Sequence, residues 1–109
     1  MPLTGKQRRT LRALGHHRKP VVQVGHSGVT EALTAALEQA LHDHELVKVK
    51  ISEHAAGTRA EVAAALARST GSEVAQVLGR TVLLYRARPE EPDIVLPGAE
   101  PAPAPRRAR

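Results

Sequence analysis

The chain of 109 residues has a formal net charge of +5 and a sequence pI of about 10.4. It contains no cysteine, phenylalanine or tryptophan, and Tyr85 is its single tyrosine. This composition indicates one domain and excludes disulfides, thiolate metal sites, a cysteine nucleophile and a nucleic-acid platform of stacked aromatic rings.

Neither a membrane span nor an export signal is visible in the sequence. No apolar run approaches the roughly 18 residues of a membrane-spanning helix. The N-terminus lacks the apolar core of a secretory signal. We therefore expect a soluble, cytoplasmic protein with no membrane partner.

The first predicted helix is basic on its outer side. Thr4 and Gln7 have capping-box spacing, which predicts the start of a helix that continues to about His17. At helical spacing, one stripe of this helix faces inward, and it consists of Leu3, Gln7, Leu11 and Leu14. Residues 1–28 contain no Asp or Glu, so nothing balances their cations. This asymmetry predicts a polyanionic partner. The cations concerned are Lys6, Arg8, Arg9, Arg12, Arg18 and Lys19.

A glycine turn follows a short buried strand at residues 21–24. Gly25, His26, Ser27 and Gly28 link that strand to a second predicted helix, which ends near residue 44. Glycine permits positive φ and close approach of a ligand to the main chain. Because a helix N-terminus attracts anions, this turn is a candidate phosphate site.

The remaining elements complete an α/β domain of order α-β-α-β-α-β-β. Residues 46–51 predict a strand with valines on one face and Lys48 and Lys50 on the other. Thr58 and Glu61 predict the start of a third helix. Strands at 74–78 and 81–85 are joined at Gly79-Arg80, a two-residue hairpin. The crossovers predict parallel strands and the hairpin adds an antiparallel one, which gives a mixed four-stranded sheet.

From Ala87 onward the sequence is rich in proline and has little apolar surface to bury. We therefore predict a domain at residues 1–86 and a disordered tail at residues 87–109.

The residues of several segments resemble the CRM domain in its bacterial, stand-alone, YhbY-like form. The resemblance covers residues 3–86 and includes residues 3–9, 19–25, 28–31, 44–50 and 76–82. It implies a fold similar to the C-terminal domain of translation initiation factor 3. It also implies RNA binding through a G-x-x-G loop and association with precursors of the large ribosomal subunit.

The resemblance assigns the glycine turn and its basic surroundings to RNA. Family members usually place a basic and a polar residue between the glycines, where this chain has His26 and Ser27. Histidine is charged only when protonated, so the charge there is conditional. The candidate RNA-binding residues are Gly25, His26, Ser27, Gly28, Lys6, Arg8, Arg9, Arg12, Arg18 and Lys19, with Lys48, Lys50 and Arg80 as weaker ones. We expect a monomer without cofactor, metal, catalysis or DNA as a partner.

Two other classes of function compete with this interpretation. A strand-glycine-helix turn also begins the sites of nucleotide-binding enzymes, but the third glycine of a dinucleotide site and the lysine of a P-loop are missing. His42 and His44, with His54 or Glu45, provide possible zinc ligands without a recognised metal motif.

Overall fold

A computed structural model of the protein describes residues 3–97. The seven elements occur in the predicted order: α1 (Gly5–Gly15), β1 (Val22–Val24), α2 (Glu31–His44), β2 (Leu46–Ile51), α3 (Arg59–Thr70), β3 (Glu73–Leu78) and β4 (Thr81–Tyr85). No helix in this part of the chain is long and apolar enough to cross a membrane.

The four strands form one mixed sheet in the order β1-β2-β4-β3. β1 is parallel to β2, and β4 is antiparallel to both β2 and β3. The predicted mixed sheet is therefore confirmed. β4, the last strand within residues 3–97, lies inside the sheet, so β2 and β3 run in the same direction without pairing.

Each side of the sheet buries its own apolar cluster. On the first side, which we call the α2–α3 side, Val47, Val49 and Val82 pack with residues of α2 and α3. On the other, the α1 side, Leu46, Leu83 and other residues pack with Leu11 of α1. Because side chains alternate along a strand, Lys48 and Lys50 belong to the α1 side.

α1 differs in two ways from its predicted form. It ends at Gly15, and His16 is its C-cap. Leu14, predicted to face inward, is 44% exposed, whereas Gly15 is buried. A Cβ atom on Gly15 would lie 2.7 Å from two carbons of Leu83, so the helix meets the sheet at this glycine. Gly15, which has no side chain, therefore faces the sheet at the point of contact, and Leu14 points away from it.

Local signals at the helix and strand ends formed as predicted. Both capping boxes are present, with Thr4 and Gln7 at α1 and with Thr58 and Glu61 at α3. Gly79 has a φ of 59°, as the first central residue of a type II′ hairpin requires.

The segment after β4 differs from the predicted free tail over residues 87–97. Leu96 is buried, and Ile94 packs against the α1-side cluster. Glu45 is fully buried, and its carboxylate accepts the backbone N–H groups of Arg88, Asp93 and Ile94 at 2.7–2.9 Å. This carboxylate and the two apolar side chains hold the segment on the domain. The rest of the predicted tail lies outside the described residues.

Candidate nucleic-acid interface

The glycine turn lies at one edge of the sheet. It begins directly after β1 and closes with a hydrogen bond of 3.0 Å from the N–H of Gly28 to the carbonyl of Gly25. Ser52, just after β2, donates its N–H to Val24 at 2.8 Å. The glycine turn and the loop after β2 therefore adjoin, with His26 and Ser27 exposed to solvent.

The two glycines of the turn have different physical requirements. Gly28 has a φ of 73°, a conformation that is unfavourable for residues other than glycine. Gly25 has no positive φ, and a Cβ atom built on it would meet nothing within 4 Å. Gly28 is therefore needed for the shape of the turn, whereas Gly25 leaves its main chain open to a ligand.

The N-terminus of α2 contributes less to this site than the sequence suggests. Val29 and Thr30 separate the turn from the helix. The Thr30 hydroxyl accepts the N–H of Leu33 at 3.1 Å and so caps the helix. Glu31 adds a negative charge in the first helical turn. A phosphate is favoured at the glycine turn itself and not at this helix end.

α1 presents its predicted cations to solvent. Lys6, Arg9 and Arg12 are exposed, and Arg8 is half-buried. Among the carboxylates of residues 3–97, none forms an ion pair with these side chains. The basic surface of α1 is thus uncompensated within this range.

A second group of cations connects α1 with the glycine turn. Arg18 donates from Nη1 to the carbonyl of Leu46 at 3.0 Å, which fixes its guanidinium at the start of β2. Lys19 is exposed beside it. Lys48 and Lys50 follow on the same side of β2, and two residues of a strand span about 6.6 Å. The row leads towards the end of β2 that adjoins the turn.

Arg80 differs from the other candidates because it has an acidic partner. Its Nη1 lies 3.7 Å from Oε1 of Glu53, and both side chains are more than half exposed. Its carbonyl accepts the N–H of Ile51 at 2.7 Å. The hairpin turn therefore adjoins the end of β2, whose other edge pairs with β1 before the glycine turn, and its charge is partly balanced.

The histidines are not arranged as a metal centre. No group of three or more His, Cys, Asp or Glu residues within residues 3–97 is placed to hold a metal ion. Glu45, one of the suggested ligands, uses both carboxylate oxygens to accept backbone N–H groups.

Val21, which belongs to the predicted buried strand at residues 21–24, is exposed, and Gln23 is exposed on the same surface. Gln23 is paired with Lys50, and the N–H of Val21 donates to the carbonyl of Lys48 at 3.1 Å. Since Val22 and Val24 point to the α2–α3 side, strict alternation places Val21 and Gln23 on the α1 side. The alternation of side chains along the strand was the sequence pattern that could have predicted this exposure.

Comparison with known proteins identifies the family. The model of the CRS1/YhbY (CRM) domain matches residues 3–86. The chain is 38% identical over 95 residues to "Probable RNA-binding protein YqeI" of Bacillus subtilis, covering 87% of this chain and 99% of that one. It is 40% identical over 95 residues to an "RNA-binding protein" of Haemophilus influenzae, covering 87% of this chain and 95% of that one.

A solved structure agrees with these matches. The solution structure of the hypothetical protein SAV1595 from Staphylococcus aureus superposes with a TM-score of 0.76 at 37% identity. The match covers 87% of this chain and 99% of that one. The chain belongs to the CRS1/YhbY (CRM) domain family.

Proposed function

We propose that this protein is a non-catalytic RNA-binding protein that associates in the cytoplasm with large-subunit ribosomal RNA precursors during ribosome assembly. The observation that carries the proposal is the basic surface of the α1 side, whose lysines and arginines form no ion pair with a carboxylate of residues 3–97. It extends from α1 through Arg18 and Lys19 to Lys48 and Lys50 and ends near an open glycine turn.

The chemistry of this surface suits a phosphate backbone. Arginine and lysine side chains that lack carboxylate partners replace the counterions of RNA, and the released ions favour binding. At the turn, Gly25 leaves the main chain accessible to a phosphate oxygen. His26 and Ser27 add exposed polar side chains to the same contact.

The relatives support RNA as the ligand. The proteins of B. subtilis and H. influenzae carry names that describe RNA binding, and they match nearly the whole of the domain. The ribosomal part of the proposal follows from the family resemblance. The basic α1 side is the surface on which a large folded RNA would lie.

The salt dependence of binding tests the contact with phosphate. We expect log K for a structured RNA to fall linearly with log salt, with a slope of about −0.7 to −0.9 for each phosphate contacted. The number of available cations suggests roughly four to six contacts. Fluorescence anisotropy at several salt concentrations measures this slope. A slope near zero would contradict a phosphate-dominated interface.

Sedimentation of a cell lysate tests the ribosomal part. At modest salt the protein should travel with large-subunit precursors through a sucrose gradient, and high salt should release it. RNA recovered after crosslinking in cells should be enriched in precursor ribosomal RNA. Sedimentation only with free proteins at modest salt would rule out the ribosomal role and leave a general RNA-binding protein.

A further inference from the structure

The α1 side of the sheet is only partly covered. α1 and the segment at residues 94–96 pack over β3, β4 and the start of β2. Among residues 3–97, no helix packs over β1 and the rest of β2 on this side. Their outward side chains therefore form an exposed floor beside the cations described above.

Two shallow depressions lie on this floor, and Val21 lines both of them. The first also includes Arg18, Leu46 and Lys48. The second includes Pro20, Gln23 and Lys50. Val21 is 58% exposed although it is apolar. It contributes an isopropyl group to the surface at the point where the two depressions meet.

We infer that these two depressions bind two successive unpaired nucleotides, with the bases against Val21 and the phosphates on Lys48 and Lys50. The inference rests on the proposed RNA-binding function and specifies the form of RNA that the sheet accepts. The bases of an A-form duplex are stacked inside it, so an apolar floor of this kind suits a single-stranded segment.

The chemistry of each depression fits a nucleotide. In the first, the hydrogen bond to Leu46 tethers the Arg18 guanidinium at the start of β2, and bases stack on guanidinium planes. In the second, the Gln23 amide offers both a donor and an acceptor to the edge of a base. Each depression also has one lysine of β2, and those two lysines are two residues apart.

The two depressions change the preference among RNA sequences that the amino-acid composition suggests. Without exposed phenylalanine, tyrosine or tryptophan, the sequence predicts binding through phosphate and shape. An apolar residue between two depressions and an amide at one of them add contacts to bases. A modest preference among bases is therefore expected for single strands and not for duplexes.

The test compares three probes: short polyuridine, an abasic ribose-phosphate oligomer of equal length and a duplex RNA. The parent protein should bind polyuridine more tightly than the abasic oligomer. Val21→Ser should weaken polyuridine binding about fivefold, since it removes apolar contact with bases. Its binding to the abasic oligomer and to the duplex should stay unchanged.

A matched control and a second variant complete the experiment. Val77 is also an exposed valine, but it lies in β3 at the opposite edge of the sheet, so Val77→Ser should alter none of the three affinities. Gln23→Ala should reduce the difference in affinity between polyuridine and polyadenosine. This variant provides an independent measurement if Val21→Ser lowers stability.

The outcomes separate this inference from the proposed function. Equal binding of polyuridine and the abasic oligomer by the parent would overturn the nucleotide sites while leaving the phosphate surface intact. Unchanged polyuridine binding in Val21→Ser, together with an unchanged difference between polyuridine and polyadenosine in Gln23→Ala, would do the same. Failure of the parent to bind any of the three probes would overturn the proposed function together with the inference.

Discussion

Two arginine-bearing stretches of the chain use their arginines in different ways. In the C-terminal stretch, residues 80–97, Arg80, Arg86 and Arg88 each form an ion pair. In the N-terminal stretch, residues 6–19, no cation pairs with a carboxylate of residues 3–97. The number of arginines is therefore a poor guide to function. Their distance from acidic side chains distinguishes those that hold the fold from those available to a polyanion.

The C-terminal stretch is built into the fold through several contacts. Arg86 bonds both Glu38 and the carbonyl of Thr70 at 2.7 Å. Arg88 donates to the carbonyls of His42 and Asp43, near the C-terminal end of α2. These bonds join the residues directly after β4 to both helices of the α2–α3 side. We expect changes here to affect stability first and changes in the N-terminal stretch to affect binding first.

The largest effect is expected at Glu45. Glu45→Ala removes the acceptor of three backbone N–H groups and should lower the free energy of unfolding by roughly 3–5 kcal/mol. Chemical denaturation measures this loss. The control is Glu90→Ala, an exposed carboxylate of the same stretch. Equal stability of the two variants would show that Glu45 does not anchor residues 88–94.

The same residue has a spectroscopic readout. Burial raises the pKa of Tyr85, and the nearby negative charge of Glu45 raises it further. Because a like charge disfavours tyrosinate, Glu45→Gln should lower the pKa of Tyr85, with burial keeping it above 10.0. The chain has one tyrosine and no tryptophan, so absorbance titration reports this group alone.

A change of intermediate size is expected in the N-terminal stretch. Arg12 and Arg68 are both exposed, and both lie in the last turn of a helix. Substitution of either by Glu should therefore lower the free energy of unfolding by a similar, small amount. Arg12→Glu should weaken RNA binding about tenfold, since it replaces a phosphate contact with a repulsive charge. Arg68→Glu lies on the α2–α3 side and should bind RNA nearly as the parent does. Equal loss in both variants would indicate a response to net charge alone.

The smallest effects are expected at the glycine turn, where stability and binding should separate. Gly28→Ala should cost about 1 kcal/mol of stability because of its positive φ. Gly25→Ala should leave stability nearly unchanged and weaken RNA binding about fivefold by blocking close approach. Thermal unfolding and anisotropy on the same samples measure both. Full binding by Gly25→Ala would remove the open main chain from the proposed contact.

Short-range sequence patterns predicted the helices and strands, whereas contacts between distant residues could not be predicted from the sequence. Capping residues and alternating valines are patterns that span only a few residues, and the structure has helices and strands where these patterns occur. The order of the strands in the sheet could not be predicted in this way, because a two-residue hairpin fixes the pairing of β3 with β4 but not the strand on the other side of β4. The role of Glu45 was also hidden, since its partners lie more than forty residues away.

The same distinction applies to the candidate site. The absence of acids in residues 1–28 predicted the exposed cations of α1, and alternation placed Lys48 and Lys50 on one side of β2. The sequence did not reveal that Arg80 has Glu53 as a partner or that Arg18 bonds the main chain. Both depend on how distant segments meet, which short-range patterns do not encode.

The inner position of β4 has a consequence for synthesis of the chain. Because β4 separates β2 from β3, β3 has no strand to pair with until residues 81–85 have emerged from the ribosome. Until then β2 can pair only with β1, a strand of three residues. Folding during translation is therefore postponed until residue 85 has emerged, and from residue 51 to that point the nascent chain exposes an unpaired edge of β2. A domain of this topology is assembled nearly all at once, after almost the whole of it has been made.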